Sequence, residues 1–322
     1  MPTPNHLPET SPLVPTSHTA FLIALLQFTV SSVGMMLGNK IALDPNYGGL
    51  PLPCTLVLVQ VVSTLALLGI FCKSFVWEIS MSNAIGWFPI SLLFSLMLYT
   101  SLRSLLYATV STVLILRNVG ALMTTFCEYY VRGVPITRNV LASEILIVIG
   151  AVMYGWNTVN FSLEGFFWVL LNVAAQVGYG VLLKHRMDTH PSIKDMTKYQ
   201  MSLYNNTLGF PLFMIVWFIQ GEALLLPTHT AKVSFLGLTI ILGTCLVGFM
   251  ISVSGFALQK LVSATSFLVI NNLTKFFNIL LGMVLLSDKL VGILDSSGCV
   301  LALGAGAWYS YEQTRTSSAA RH

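Results

Sequence analysis

From about residue 20 onward the chain alternates between apolar runs of roughly twenty residues and short breaks carrying charge, glycine or proline. At a rise of about 1.5 Å per residue, each run is long enough to cross a hydrocarbon layer about 30 Å thick as an α-helix. Ten such runs are read, at about 20–42, 52–72, 84–102, 107–130, 138–156, 164–184, 199–220, 233–257, 262–286 and 291–312. They predict an all-α membrane protein with ten transmembrane helices, because only helices and closed barrels satisfy every backbone polar group inside lipid. An even number of crossings puts both ends of the chain on one side.

Composition narrows the function classes. Hydrophobic residues make up 55% of the 322 and charged residues 9%, against about 25% charged in soluble domains. A soluble globule is excluded, and with it nucleic-acid-binding modules, dinucleotide-binding dehydrogenases and secreted disulfide scaffolds. The five cysteines stand singly in or beside apolar runs, without metal-ligand spacing, and read as small hydrophobes. No metal, cofactor or nucleic-acid partner is expected. The N-terminal segment lacks a basic region ahead of a short apolar core, so no cleaved signal is expected either.

The placement of the sixteen basic residues sets the orientation. With both ends in the cytosol, the cytosolic connections and tail hold ten of them, from Lys73, Arg132 and Arg138 through Lys184 and Lys260 to Arg315 and Arg321. The opposite side holds three, Arg103, Lys232 and Lys289. The positive-inside bias therefore predicts cytosolic termini. The chain divides into a cytosolic tail (1–19), a first five-helix repeat (20–156), a second (157–312) and a C-terminal cytosolic tail (313–322).

Three basic residues remain within spans: Lys40, Arg117 and Lys275. A charge in the bilayer costs several kcal/mol, so each is a candidate site residue. Lys40 lies near a helix end, where a lysine can equally well snorkel to the interface. Arg117 and Lys275 are too deep for that, and their structural alternative is a buried ion pair with Glu128, Glu144 or Asp295. Sliding the chain by 154 residues lays span four on span nine and span five on span ten, matching Asn118 with Asn272 and Gly150-Ala151 with Gly304-Ala305. An odd number of spans per repeat inverts the second copy, the arrangement of transporters that rock around a central site. In this register Arg117 and Lys275 lie one turn apart on equivalent helices, and a cationic midplane cavity points to an anionic substrate.

Polar side chains inside the spans describe that cavity further. Asn271, Thr274, Lys275 and Asn278 follow i, i+3, i+4, i+7 and share one face of span nine. Span eight carries Thr244, Gly248, Ser252, Gly255 and Gln259, and span one Gln27, Ser31, Gly34 and Gly38. For these two stripes close helix packing is as good an account as a cavity wall. Span seven holds Tyr204-Asn205-Asn206 ahead of Gly209 and Pro211, where a kink is expected. Adjacent amides suit the edge of a planar base, or else they bridge helices.

Gly38-Asn39-Lys40, Leu116-Arg117-Asn118, Leu203-Tyr204-Asn205-Asn206 and the stretch ending in Lys275 together resemble the nucleotide-sugar transporters of the drug/metabolite transporter superfamily, within it the GDP-mannose transporter branch. The resemblance covers essentially all ten spans. It implies that Tyr204, Asn205 and Asn206, matching a Phe-Tyr-Asn-Asn motif, recognise the nucleotide together with Ser252. It also implies that the ninth span holds the sugar-phosphate end, although where the family has Gly-Ala-Leu-Asn-Lys this chain reads Asn271-Asn272-Leu273-Thr274-Lys275. The added amides make a UDP-N-acetylglucosamine carrier the nearest rival to a GDP-mannose carrier, with GDP-fucose also open.

The resemblance further implies a Golgi antiporter, not an enzyme, that imports a nucleotide sugar from cytosol to lumen in exchange for the nucleoside monophosphate. The bilayer and these two ligands are its expected partners, and a homodimer is compatible with it. A general metabolite exporter would share the spans but has no reason for Tyr-Asn-Asn plus two deep cations. Asn160-Phe161-Ser162 is a glycosylation sequon in a loop too short for its use to be expected.

Overall fold

A computed structural model describes residues 18–71, 80–107, 110–156, 162–271, 273–274 and 293–319. Among the described residues there is no strand, and nine helices have 18 to 27 residues. They are α1 (His18–Ala42), α2 (Pro53–Phe71), α3 (Met81–Tyr107), α4 (Val110–Arg132), α5 (Arg138–Gly155), α6 (Leu163–Thr189), α7 (Lys198–Ile219), α8 (Phe235–Leu261) and α10 (Ile293–Ala319). Between the last two lies α9, described as helical over 264–271 and 273–274. Six of these helices, α1, α2, α3, α6, α7 and α8, contain stretches long and apolar enough to cross a membrane. The chain is therefore an all-α, multi-pass membrane protein.

Hydroxyl side chains start most of the later helices. Thr137, Ser162, Thr197 and Ser234 stand in extended backbone and accept the N–H of Val140, Gly165, Gln200 and Gly237, while Gln200 returns a bond to Thr197. Each satisfies an N–H that the first helical turn leaves without a partner. Several helices outrun the apolar runs that announce them. The α6 backbone continues to Thr189 and α10 to Ala319, so the first seven residues of the expected C-terminal tail extend the last helix.

Small residues bring two helix pairs into near backbone contact. On α1 and α8, a Cβ at Gly38 would lie 2.8 Å from the Thr244 methyl, Gly255 faces the Phe28 ring, and the Ser31 and Ser254 hydroxyls meet at 3.4 Å. Gly38 of the span-one stripe and Thr244 and Gly255 of the span-eight stripe thus lie where α1 and α8 pack. Between α5 and α10, a Cβ at Gly150 would sit 2.7 Å from both the Ala302 nitrogen and the Gly298 oxygen. Pro211 is accommodated inside α7 without interrupting it.

Two apolar groups organise the rest. Trp87, Ile90, Tyr179, Leu183, Met201, Tyr204 and Phe256 join α3, α6, α7 and α8. Ala121, Val140, Ile147, Leu268, Val269, Ala305 and Tyr309 join α4, α5, α9 and α10. The main pairings are α1 on α8, α3 on α6, α2 on α7 and α8, α3 on α7, α4 on α5 and α6, and α5 on α10.

Candidate functional site

The adjacent amides of α7 diverge, as neighbours about 100° apart on a helix must. Asn205 turns to α3, where its Oδ1 accepts from Ser91 Oγ at 3.4 Å. Asn206 turns to α8: its Nδ2 donates to the Ser202 carbonyl at 2.8 Å and to Ser252 Oγ at 3.3 Å, while Ser202 and Ser252 share a 2.7 Å bond. Tyr204 reaches the start of α3, and its hydroxyl accepts the Ser80 N–H at 2.9 Å. All three are buried. Of the predicted base-recognition set, the structure joins Asn206 to Ser252 and sends Asn205 and Tyr204 to α3.

Arg117 forms a second cluster. Its Nε donates to Asn172 Oδ1 of α6 at 3.0 Å, and its Nη2 donates to Ser101 Oγ of α3. Asn172 is nearly fully buried and donates in turn to the Met97 carbonyl at 2.7 Å and Thr100 Oγ1 at 3.1 Å. Arg117 as a whole residue is partly buried. Glu128, one candidate counter-charge, is engaged elsewhere: it pairs with Arg132 and accepts the Ala264 and Thr265 N–H groups.

That last contact fixes the register of α4 against α9. Asn118 lies ten residues from Glu128 along α4 and Thr274 ten from Ala264 along α9, so both buried side chains sit about 15 Å from the shared Glu128 joint. Thr274 donates back to the Ile270 carbonyl at 2.9 Å, and Asn271 is half-buried. Asn272, Lys275 and Asn278, the side chain of Lys40 and the sequon residue Asn160 lie outside the described residues.

Residues not singled out from sequence complete both clusters. Ser91, Ser101 and Asn172 do so around Arg117 and Asn205. Gln60 of α2 donates to Asn39 Oδ1 at 2.8 Å and Thr244 Oγ1 at 3.1 Å, tying α1, α2 and α8. Asn172 and Gln60 are each an amide inside an apolar run, the same signal that marks Arg117, and it applies to uncharged groups too.

No family model matches the chain. Curated relatives do. It is 27% identical over 309 residues to a GDP-mannose transporter of Arabidopsis thaliana, covering 94% of this chain and 91% of the relative. It is 28% identical over 263 residues to an Arabidopsis GDP-fucose transporter, covering 78% and 74%, and 25% identical over 309 residues to a nucleotide sugar transporter of Mus musculus, covering 94% and 92%. A solved structure described only as the crystal structure of a protein superposes with a TM-score of 0.63 at 12% identity, over 91% of this chain and 98% of that one. It shares the fold.

Proposed function

We propose that this protein is a Golgi nucleotide-sugar transporter of the GDP-mannose type, exchanging the nucleotide sugar for its nucleoside monophosphate. The observation that carries it is the similarity over 94% of the chain to a GDP-mannose transporter and over 78% to a GDP-fucose transporter. The interior supports it chemically, with the amide of Asn205 at one level of α3 and the cation Arg117 at another. Ser91 and Ser101, which mark those levels, are ten residues apart, about 15 Å along the axis. A ligand with a base at one end and phosphate at the other suits that spacing. The family resemblance further assigns Asn271, Asn272, Thr274 and Lys275 to the sugar-phosphate end, together with Arg117 and Asn118, with Lys40 and Asn278 as further candidates.

The same reading makes the molecule ten transmembrane helices in two inverted five-helix repeats, 20–156 and 157–312, with both termini cytosolic. Helix pairings support it: exchanging each helix for the one five places along turns α1 on α8 into α6 on α3, and α2 on α8 into α7 on α3, both of which occur. The α2–α7 and α5–α10 pairs map onto themselves.

A binding panel on the purified protein tests the substrate class. GMP is expected to raise the unfolding temperature well above UMP, CMP or AMP at equal concentration, since a ligand stabilises the state it binds. A UMP preference would replace the guanine reading with the UDP-sugar one, and no response to any nucleotide would remove the function.

A further inference from the structure

Glu144 of α5 is a carboxyl group with no cation to answer it. It is 1% exposed, and among the described residues it takes part in no ion pair. Its Oε1 lies 2.6 Å from Thr125 Oγ1 of α4, and its Oε2 is buried without a hydrogen-bond partner. The ionisable groups that act on it are Glu128 of α4 and Tyr309 of α10, neither of them positive, and residues 264–271 of α9 include none. On its own helix Arg138 stands six residues away, exposed in the first turn. A bare carboxylate in such a place has neither water nor a cation to offset its charge. The hydrogens around it lead to the same point. Thr125 Oγ1 also lies 3.4 Å from Thr265 Oγ1 of α9, and the Thr265 hydroxyl donates to Glu128 Oε2. Three oxygen–oxygen contacts thus join Glu144 to Glu128, and the two hydroxyls between them supply only two hydrogens. Glu128 is the charged end, since it pairs with Arg132 and accepts two N–H groups. The missing hydrogen belongs to Glu144: with a proton on its Oε1, each oxygen in the row Glu144, Thr125, Thr265 donates once to the next.

We propose that Glu144 is a proton-binding site, a neutral carboxylic acid where α4, α5 and α9 meet, and that it gives up its proton when α9 moves away from Glu128. In the acid form Oε2 is a carbonyl oxygen, which costs far less than an anion to leave unpaired. On opening, water takes the place of Thr265, the Glu144 O–H bond breaks with its electron pair left on the carboxylate, and the proton passes to that water. The closed form holds one proton more than the open form, so raising the pH favours opening and lowering it favours closure. The coupling to opening rests on the transporter reading above; the proton itself does not.

The test uses the full-length protein in detergent. Its infrared spectrum at neutral pH is expected to hold the C=O stretch of a protonated carboxyl that is absent from Glu144→Gln, an amide that keeps a donor towards Thr125 and has no proton to lose. Should Glu144→Gln not fold, Thr125→Val serves, since losing the hydroxyl that accepts the proton should shift the same band. Opening is read from the labelling of a Ser263→Cys probe, on a cysteine-free background, by an impermeant thiol reagent. Each rate is divided by that of the same cysteine in the denatured protein, which cancels the pH dependence of the thiol chemistry. The quotient should rise with pH, by at most about tenfold per unit for a single proton, and stay level in Glu144→Gln. A spectrum without the band, or a band that Thr125→Val leaves in place, overturns the proposal. A quotient that does not change with pH while the band is present means that opening releases no proton, and the coupling falls. Stabilisation by GMP in that same protein would place the failure in the coupling and leave the transporter reading standing.

Discussion

Glu128 and Glu222 perform the same act in different company. Each caps a helix to which it does not belong. Glu222 accepts the Cys54 and Thr55 N–H groups at 3.0 and 2.7 Å and the Thr55 hydroxyl at 2.8 Å, at the start of α2. Glu128 accepts the Ala264 and Thr265 N–H groups at 3.1 and 3.0 Å and the Thr265 hydroxyl, at the start of α9. Both carboxylates are buried and face the positive end of a helix. There the likeness stops. Among the described residues Glu222 makes no ion pair, whereas Glu128 pairs with Arg132, Arg132 with Asp188, and Asp188 lies 3.9 Å from Lys184. Lys184 also donates to the Gln259 carbonyl at the end of α8 at 3.2 Å.

The two joints differ in how easily water can take over. The Glu222 cap is closed, with Trp217 Nε1 donating to Thr55 Oγ1 from the other side, so its parts have no substitute partners. The Glu128 joint runs out through a partly exposed Asp188, where water reaches the outer ion pairs. If the chain alternates between two openings, as the transporter proposed above would, the second joint is the one that can part and the first is not. The charged joint is at the end proposed to face the cytosol.

The largest expected effect is that of Glu222→Ala. It strands two N–H groups and a hydroxyl in a buried place, and should cost about 3 kcal/mol of stability, read as a lower Tm in detergent. An unchanged Tm would mean that α2 finds another cap. Glu128→Ala should cost less, about 2 kcal/mol, because Ser263 already takes the Ser266 N–H at 3.0 Å in the same turn of α9. A larger loss than that of Glu222→Ala would show that the ion pairs, not the cap, dominate there.

Asp188→Asn should change Tm by less than about 1 kcal/mol equivalent, as expected of a partly exposed pair. It should nevertheless speed the labelling of a Ser263→Cys probe, on a cysteine-free background, by an impermeant thiol reagent from the cytosolic side. Unaltered labelling would deny the joint any part in opening. The smallest effect is that of salt. At about 1 M, where charges are screened beyond about 3 Å, the labelling difference between Asp188→Asn and the parent should shrink, while the loss from Glu222→Ala persists.

Much of the architecture is legible in the sequence because it is local. Apolar run length announces the helices, and Thr137, Ser162, Thr197 and Ser234 stand where helices begin. Helix ends are less legible. Lys184, His185 and Arg186 break the apolar run, yet α6 continues through them because Lys184 finds carbonyls on α8 and a carboxylate on its own helix. The candidate site divides the same way. Arg117, Asn205 and Asn206 stand out as polar groups in apolar surroundings, but which helix each one touches depends on partners far along the chain, such as Asn172, 55 residues from Arg117. The stripes of spans one and eight are ambiguous in sequence for the same reason: Gly38 packs against Thr244, whereas Ser252 of the same stripe turns to Asn206 on α7.

The meeting of Gly150 with Gly298 has a consequence for how the protein is made. α5 ends at Gly155 and α10 begins at Ile293, so 137 residues, 156 to 292, must be synthesised before the two can touch. At about 5–20 residues per second that is roughly 7–27 seconds during which the face of α5 around Gly150 has not yet met its partner. Small-residue faces pair readily with whatever helix is near. The helix that covers this face is therefore made long after it, and a chain stopped short of α10 would leave the face around Gly150 uncovered.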